Sequence, residues 1–204
     1  MLTAPDGSME SFELDNAGEQ IRVGQIPYLQ EKVKEFTTKI KSARNTLPKD
    51  VWVAITSTIM KTLEYPMTAL TITKQGWDEI MKPLLHFCPP VTGYSQNFPR
   101  AVIFGPSEQC GKGLMHPWYN QELTHLETFW EELASETHTG EFFTTSMEAL
   151  RLELSYPTSL MSVPFDRMAG CATNSWLTSL WETCNKWNID IKSIAPELKK
   201  GLRV

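Results

Sequence analysis

Gly105-Pro106-Ser107-Glu108-Gln109-Cys110-Gly111-Lys112-Gly113 is the stretch whose residue types come nearest to chemistry. A glycine-rich turn with a lysine after an apolar run suggests a phosphate-binding loop, in which backbone N–H groups cradle phosphates and a Ser or Thr hydroxyl holds magnesium. The spacing is wrong. Five residues separate Gly105 from Gly111-Lys112, where such a loop has four, and Gly113 stands where the hydroxyl belongs. Glu108 would also place a negative charge beside the phosphates. The simpler reading is a tight turn, in which Gly111 and Gly113 permit positive φ or a close backbone approach.

Zinc needs four Cys or His ligands, usually in close pairs. His86-x-Cys88 is the one such pair, a residue tighter than usual, and Cys110 and His116 are the remaining candidates to join it. Against this stands the ordinary reading of Cys88, Cys110, Cys171 and Cys184: widely spaced, reduced thiols of an intracellular protein, buried as small apolar groups. We therefore expect no metal and no cofactor. No Gly-x-Ser-x-Gly occurs, and no cysteine sits in a catalytic signature. His125 falls on a helix beside Gln121 and Glu122 and reads as a surface or partly buried histidine. Trp52, Trp130, Trp176 and Trp181 lie on apolar stripes and read as core rather than as base-stacking platforms. Trp118, next to Pro117 and His116, is the exception.

These residues are placed by a mainly α fold, an irregular bundle of five or six helices with a minor β element. Residues 97–122 form its junction. There, 101–104 read as a buried strand approached through Pro99 and ended by Gly105-Pro106, with Arg100 held by a carboxylate or by carbonyls, since an isolated buried guanidinium is too costly. A helix follows from about 119.

Ile26, Leu29, Val33, Phe36 and Ile40 recur at helical steps and predict an amphipathic helix over about 27–44. Pro48 opens a second, 48–64, with Trp52, Ile55, Ile59 and Leu63 on its stripe. Thr73 is placed to cap a third through Trp77, Ile80, Met81 and Leu84. Pro83 is expected to kink or end it and Pro89-Pro90 to stop it. Leu123, Leu126, Phe129, Trp130 and Leu133 mark a fourth, 119–135. A fifth spans 146–155 and a last 174–187, with an irregular stretch at 156–173. Short strands are expected at 11–14 and 188–191. The expected domain organisation is a flexible segment at 1–24, a helical region at 25–192 in two subdomains meeting near 89–118, and a tail at 193–204.

The net charge of −5 over 204 residues argues weakly against strong nucleic-acid binding by the whole chain, but the charge is uneven. Residues 31–49 hold Lys32, Lys34, Lys39, Lys41, Arg44 and Lys49 against Glu31 and Glu35, whereas 122–153 hold eight glutamates against Arg151. The first helix is then either a solvated charged face or a helix laid along a nucleic-acid backbone, its lysines displacing counterions. The acidic middle favours protein contact. No apolar run is long enough to span a membrane.

The junction residues also carry a resemblance. Phe98-Pro99-Arg100-Ala101-Val102-Ile103-Phe104-Gly105-Pro106, then Gly111-x-Gly113-Leu114 and Tyr119-x-Gln121, resemble the region after the polymerase palm in reverse transcriptases of non-LTR retrotransposons. Ala4-Pro5-Asp6-Gly7, Thr58 to Tyr65-Pro66, Ile80-Met81-x-Pro83 and Trp176-Leu177-x-Ser179-Leu180 agree in order, so the resemblance covers nearly the whole chain. Lys112 departs from a Gly-Leu-Gly of that family, and Cys110 from an aromatic. The resemblance implies a thumb-like fragment that holds an RNA or RNA–DNA duplex by its backbone, with Pro99, Arg100, Gly105, Pro106, Gly111 and Gly113 as its structural junction; the charge distribution places any such affinity in Lys32, Lys34, Lys39, Lys41 and Arg44. Polymerase chemistry needs close aspartates to hold two metal ions. Asp6, Asp15, Asp50, Asp78, Asp166 and Asp190 include no adjacent pair, so no catalysis by this chain alone is expected. The alternatives are a helical protein-interaction module and a functionless retroelement remnant.

Overall fold

The computed structural model describes residues 17–43, 46–135, 137–156, 163–168, 170–173 and 175–189. It is mainly helical: α1 (Ala17–Ser42), α2 (Pro48–Ala54), a π turn (Ile55–Ile59), α3 (Met60–Glu64), α4 (Lys74–Val91), α5 (Arg100–Phe104), a 3-10 turn (Ser107–Gln109), α6 (Pro117–Ala134), α7 (His138–Glu153), α8 (Phe165–Met168) and α9 (Trp176–Lys186). No strand occurs among the described residues. The strand expected at 11–14 lies outside them. Of 188–191, residues 188 and 189 are a turn and its exit, and the rest lie outside. The chain divides into two compact units, one of residues up to 65 with 72–118, the other of 66–71 with residues from 119 on.

In the first unit α1 packs along α4 and touches the π turn. Leu29, Val33 and Thr37 are its buried line, with Phe36 and Ile40 half-buried beside it. The helix begins at Ala17 and carries Pro27 inside it, rather than starting there. Helices α2 and α3 run through the π turn as one rod over the expected 48–64. Ile55 and Ile59 are buried there, while Thr56 and Ser57 donate back to the Trp52 and Val53 carbonyls.

The prolines of α4 do not end it. Pro83, Pro89 and Pro90 all lie inside the helix. Each removes one N–H and costs about 3 kcal/mol. Beyond Pro83, Leu84, Leu85, Phe87 and Cys88 are buried, at roughly 1.5–3 kcal/mol for each large side chain, so packing carries the helix across. The end comes at Gly93, where φ is +87°. Gly93 N–H donates to the Pro90 carbonyl and Tyr94 N–H to that of Pro89, the paired bonds of a Schellman stop. At the other end Thr73 caps as expected, its hydroxyl accepting from Gly76 N–H at 3.2 Å.

Residues 101–104 are a helical turn, not a buried strand. A four-residue apolar run cannot distinguish the two periods. Pro99 is its N-cap, and its carbonyl accepts from Val102 N–H at 3.0 Å. Only Ile103 is buried; Ala101 is exposed and Val102 and Phe104 are intermediate. Arg100 is exposed and makes no ion pair among the described residues, so solvent takes the place of the expected carboxylate or carbonyls.

In the second unit a core of Phe129, Phe143, Leu150, Leu154, Val163, Leu177, Leu180, Trp181 and Cys184 joins α6, α7 and α9. Helix α7 starts at His138, earlier than expected, because Thr137 accepts from Gly140 N–H. A capping box of Ser175 and Thr178 starts α9. Within the irregular 156–173 stretch, Phe165–Met168 forms the short α8.

Candidate nucleic-acid interface

Projected down α1 at about 100° per residue, the lysines fall in two rows beside its buried line. Lys34 and Lys41 flank it on one side, Lys32 and Lys39 on the other. Glu31, Glu35, Thr38 and Ser42 hold the outward line between them, all exposed. Lys34, Lys39 and Lys41 are exposed, and Lys32 is intermediate. Lys32 Nζ stands 3.5 Å from a Glu35 carboxylate oxygen and 5.4 Å from the Tyr28 ring centre. Lys41 Nζ lies 5.5 Å from the ring centre of Phe87 on α4. Lys34 and Lys39 make no ion pair among the described residues. Arg44 lies outside them. The residues do share one helix, but as two rows with acidic side chains between, not as one basic face.

The junction is a close backbone crossing. Lys112 N–H donates to the Val102 carbonyl at 2.8 Å, Gly113 N–H to Gly105 at 2.8 Å and Leu114 N–H to Ile103 at 3.1 Å. These bonds satisfy carbonyls that the single turn of α5 leaves open. A Cβ on Gly111 would stand 2.1 Å from the Gly105 oxygen, and one on Gly105 2.8 Å from the Ala101 oxygen. Gly113 takes φ +70°. Pro106 is exposed, and its carbonyl receives Gln109 and Gly111 N–H. This is the tight turn expected from the glycines, and the N–H groups of residues 109–113 are bonded to backbone carbonyls. Lys112 Nζ donates to the Tyr94 hydroxyl.

The zinc candidates are not brought together. His86 and Cys88 sit two apart on α4, where side chains point to different faces. His86 is exposed beside Gln96, and Cys88 is buried. Burial pushes the Cys88 and Cys184 thiols up to about 11, so both are protonated at neutral pH and poor ligands or nucleophiles. Among the described residues no three His, Cys, Asp or Glu side chains converge to hold a metal. Asp50, Asp78 and Asp166 lie on α2, α4 and α8, and Asp6, Asp15 and Asp190 lie outside the described residues. A narrow cleft lined by Trp52, Cys88, Tyr94, Phe98 and Lys112 is far smaller than the usual small-molecule site of roughly 300–1,000 Å³.

Three polar groups are buried that the sequence reading left at the surface or passed over. His116 is a helix cap: its Nδ1 accepts from Trp118 N–H at 3.1 Å, and its Nε2–H donates to Asp78 at 3.2 Å. Trp118 is half-buried, and Lys74 Nζ lies 5.7 Å from its ring centre. His125 is wholly buried, where a surface or partly buried position was expected. Its Nε2–H donates to the carbonyls of Met67 and Leu70, and its ring lies 4.8 Å from that of Trp176. Burial lowers its pKa. Glu122 is buried and accepts from the Thr183 hydroxyl on α9. Burial, with the Glu182 charge adding to it, pushes the Glu122 carboxyl up to about 7. The inward face of α6 is therefore only partly the expected stripe: Phe129 is in the core and Leu126 and Leu133 pack against it. Gln121, Glu122, His125 and Phe129 face inward, while Leu123 and Trp130 are exposed. The signal for this was available only as the i, i+3, i+7 spacing of Glu122, His125 and Phe129, the first two of which hydropathy scores as polar.

Among the described residues no helix is long and apolar enough to cross a membrane. Comparison of the chain with protein-family models, with curated proteins and with solved structures finds no match in any of the three.

Proposed function

We propose that the chain is a thumb-like element that holds an RNA or RNA–DNA duplex by its backbone, weakly and without regard to sequence, and has no polymerase chemistry of its own. The observation that carries this reading is α1: a helix clamped by Leu29 and Val33 that leaves Lys34, Lys39 and Lys41 exposed. The resemblance of the junction to the post-palm region of retrotransposon reverse transcriptases supports it. Such lysines act by releasing condensed counterions. Two or three phosphate contacts give a slope of log affinity against log salt of about −2 to −3. Glu31 and Glu35, between the rows, keep the affinity low.

The test is duplex binding at low salt by the parent and by a Lys34→Glu/Lys41→Glu/Arg44→Glu variant. Loss in the variant is expected. Equal binding by the two, or binding by neither, overturns the reading. Primer extension by the purified chain with magnesium or manganese would overturn the claim that it lacks chemistry. A second reading, a helical protein-interaction module, is favoured by the apolar side chains that α6 exposes.

A further inference from the structure

Helix α6 turns to solvent several of the side chains that its sequence marks as core. Tyr119, Leu123 and Trp130 are 37%, 47% and 40% exposed. Steps of four and seven residues put them on one line about three turns long. Trp187, just past α9, is 50% exposed and meets the Tyr119 ring edge-on, with centres 6.0 Å apart. The line cannot be turned inward cheaply. On the other side of the helix His125 is bonded to Met67 and Leu70, and Glu122 to Thr183. Rotation would strip these buried groups of their partners, at about 1–3 kcal/mol for each group left unsatisfied. The exposed line is thus a fixed surface. Its composition, two tryptophans, a tyrosine and a leucine, is that of an anchor cluster in a protein interface.

The exposed charge along the α6 line is acidic, and Lys186, next to Trp187, is the one cation beside it among the described residues. Glu127 and Glu131 are exposed on the adjoining strip of α6, and 122–153 as a whole hold eight glutamates against one arginine. An acidic edge repels a nucleic-acid backbone and an acidic helix alike, and attracts a basic one. The basic amphipathic helix of this chain, α1, has its apolar line buried along α4, so a second copy has no such helix to offer.

We propose that Tyr119, Leu123, Trp130 and Trp187 form a docking site for a basic amphipathic helix of a partner protein. Apolar side chains at i, i+4 and i+7 of that helix seat along the line, and its lysines or arginines meet Glu127 and Glu131. This deepens the interaction reading and is independent of the duplex reading, since one assay reads α6 and the other α1.

The test uses the full chain and two labelled helical peptides with leucine at i, i+4 and i+7, one flanked by lysine and one by glutamate. Binding is read by fluorescence anisotropy at about 50 mM salt, where screening leaves short-range charge effects intact. The lysine peptide is expected to bind at least about tenfold tighter than the glutamate peptide. A Leu123→Ala/Trp130→Ala variant is expected to lose about tenfold or more. A Glu127→Lys/Glu131→Lys variant is expected to reverse the preference between peptides. All four substitutions are at exposed positions, and circular dichroism checks that both variants fold. No binding of either peptide, equal binding of both, or no effect of charge reversal overturns the proposal. A dimer of the chain that the Leu123→Ala/Trp130→Ala variant abolishes also overturns it, and makes a second copy the occupant.

Discussion

The Nε2–H of His125 on α6 reaches the Met67 carbonyl oxygen at 2.8 Å and that of Leu70 at 3.0 Å. One imidazole therefore ties a helix to the non-helical segment 66–71, nearly sixty residues earlier in the chain. The bond fixes the tautomer, with the proton on Nε2 and Nδ1 bare; Nδ1 is buried and has no hydrogen-bond partner among the described residues.

His125→Phe keeps a ring and removes the donor. It is expected to cost about 1–3 kcal/mol by urea unfolding, the penalty of leaving buried carbonyls unpaired. The pH dependence follows from burial. The folded pKa of His125 lies below its ordinary 6.5, so its contribution is full above 6.5 and is lost as pH falls below that value. The phenylalanine variant should lack this acid loss. Measured in a Glu122→Gln background, the effect of His125 alone is read; an unchanged acid profile would show that the ring is not held neutral.

Glu122 has the opposite sign. Its carboxyl is raised from 4.5 to about 7 in the folded chain. Its contribution is therefore full below 4.5 and is lost as pH rises through about 7. Glu122→Gln keeps an oxygen to accept from Thr183 but cannot ionise. It is expected to match the parent in stability below about pH 4 and to exceed it above pH 7 by on the order of 3 kcal/mol. Parallel urea titrations across this range check it, and a constant difference would exclude ionisation of Glu122 as the cause.

Gly111→Ala and Gly93→Ala separate contact from backbone conformation. A Cβ at Gly111 meets the Gly105 carbonyl at 2.1 Å, whereas at Gly93 none of the described residues lies within 4 Å and φ +87° is what opposes it. Gly93→Ala is expected to cost about 1 kcal/mol. Gly111→Ala must push two backbones apart and should cost about 3 kcal/mol or more. Thermal unfolding of the two variants gives the order; a larger loss at Gly93 would mean that the crossing of 105 and 111 is not tight.

Within α1 the charges should not act equally. Lys34→Ala and Lys41→Ala, which remove exposed charges from one row, are each expected to reduce the salt slope of duplex binding by about one. Lys32 is already matched by Glu35 at 3.5 Å, so Lys32→Ala should leave the slope nearly unchanged. Titrating binding against salt for the three variants decides it, and a slope lowered equally by Lys32→Ala would place all the lysines on one contact surface.

Some features were legible because they are local. The 48–64 helix announces itself by Pro48 and the spacing of Trp52, Ile55, Ile59 and Leu63. Thr73 caps α4, and the glycines of 105–113 make the tight turn their types require. Pro89-Pro90 misled, because a proline's local cost says nothing about the burial that offsets it; the stop was Gly93, whose φ depends on the bonds of Gly93 and Tyr94 back into the helix. The 101–104 run misled because four apolar residues fit either period.

The sequence by itself determined that this chain is mainly helical, roughly where its helices lie, and that its first helix is basic and its middle acidic, since each follows from residue type and spacing within a few turns. Only the tertiary structure decided which residues join Leu126, Phe129 and Leu133 on the inward face of α6. Leu123 and Trp130 outrank Glu122 and His125 on any hydropathy count, yet they are the ones left in solvent. The reason is partners remote in sequence: the carbonyls of Met67 and Leu70 and the hydroxyl of Thr183 make burial of His125 and Glu122 affordable, and no pattern within α6 records that they are there.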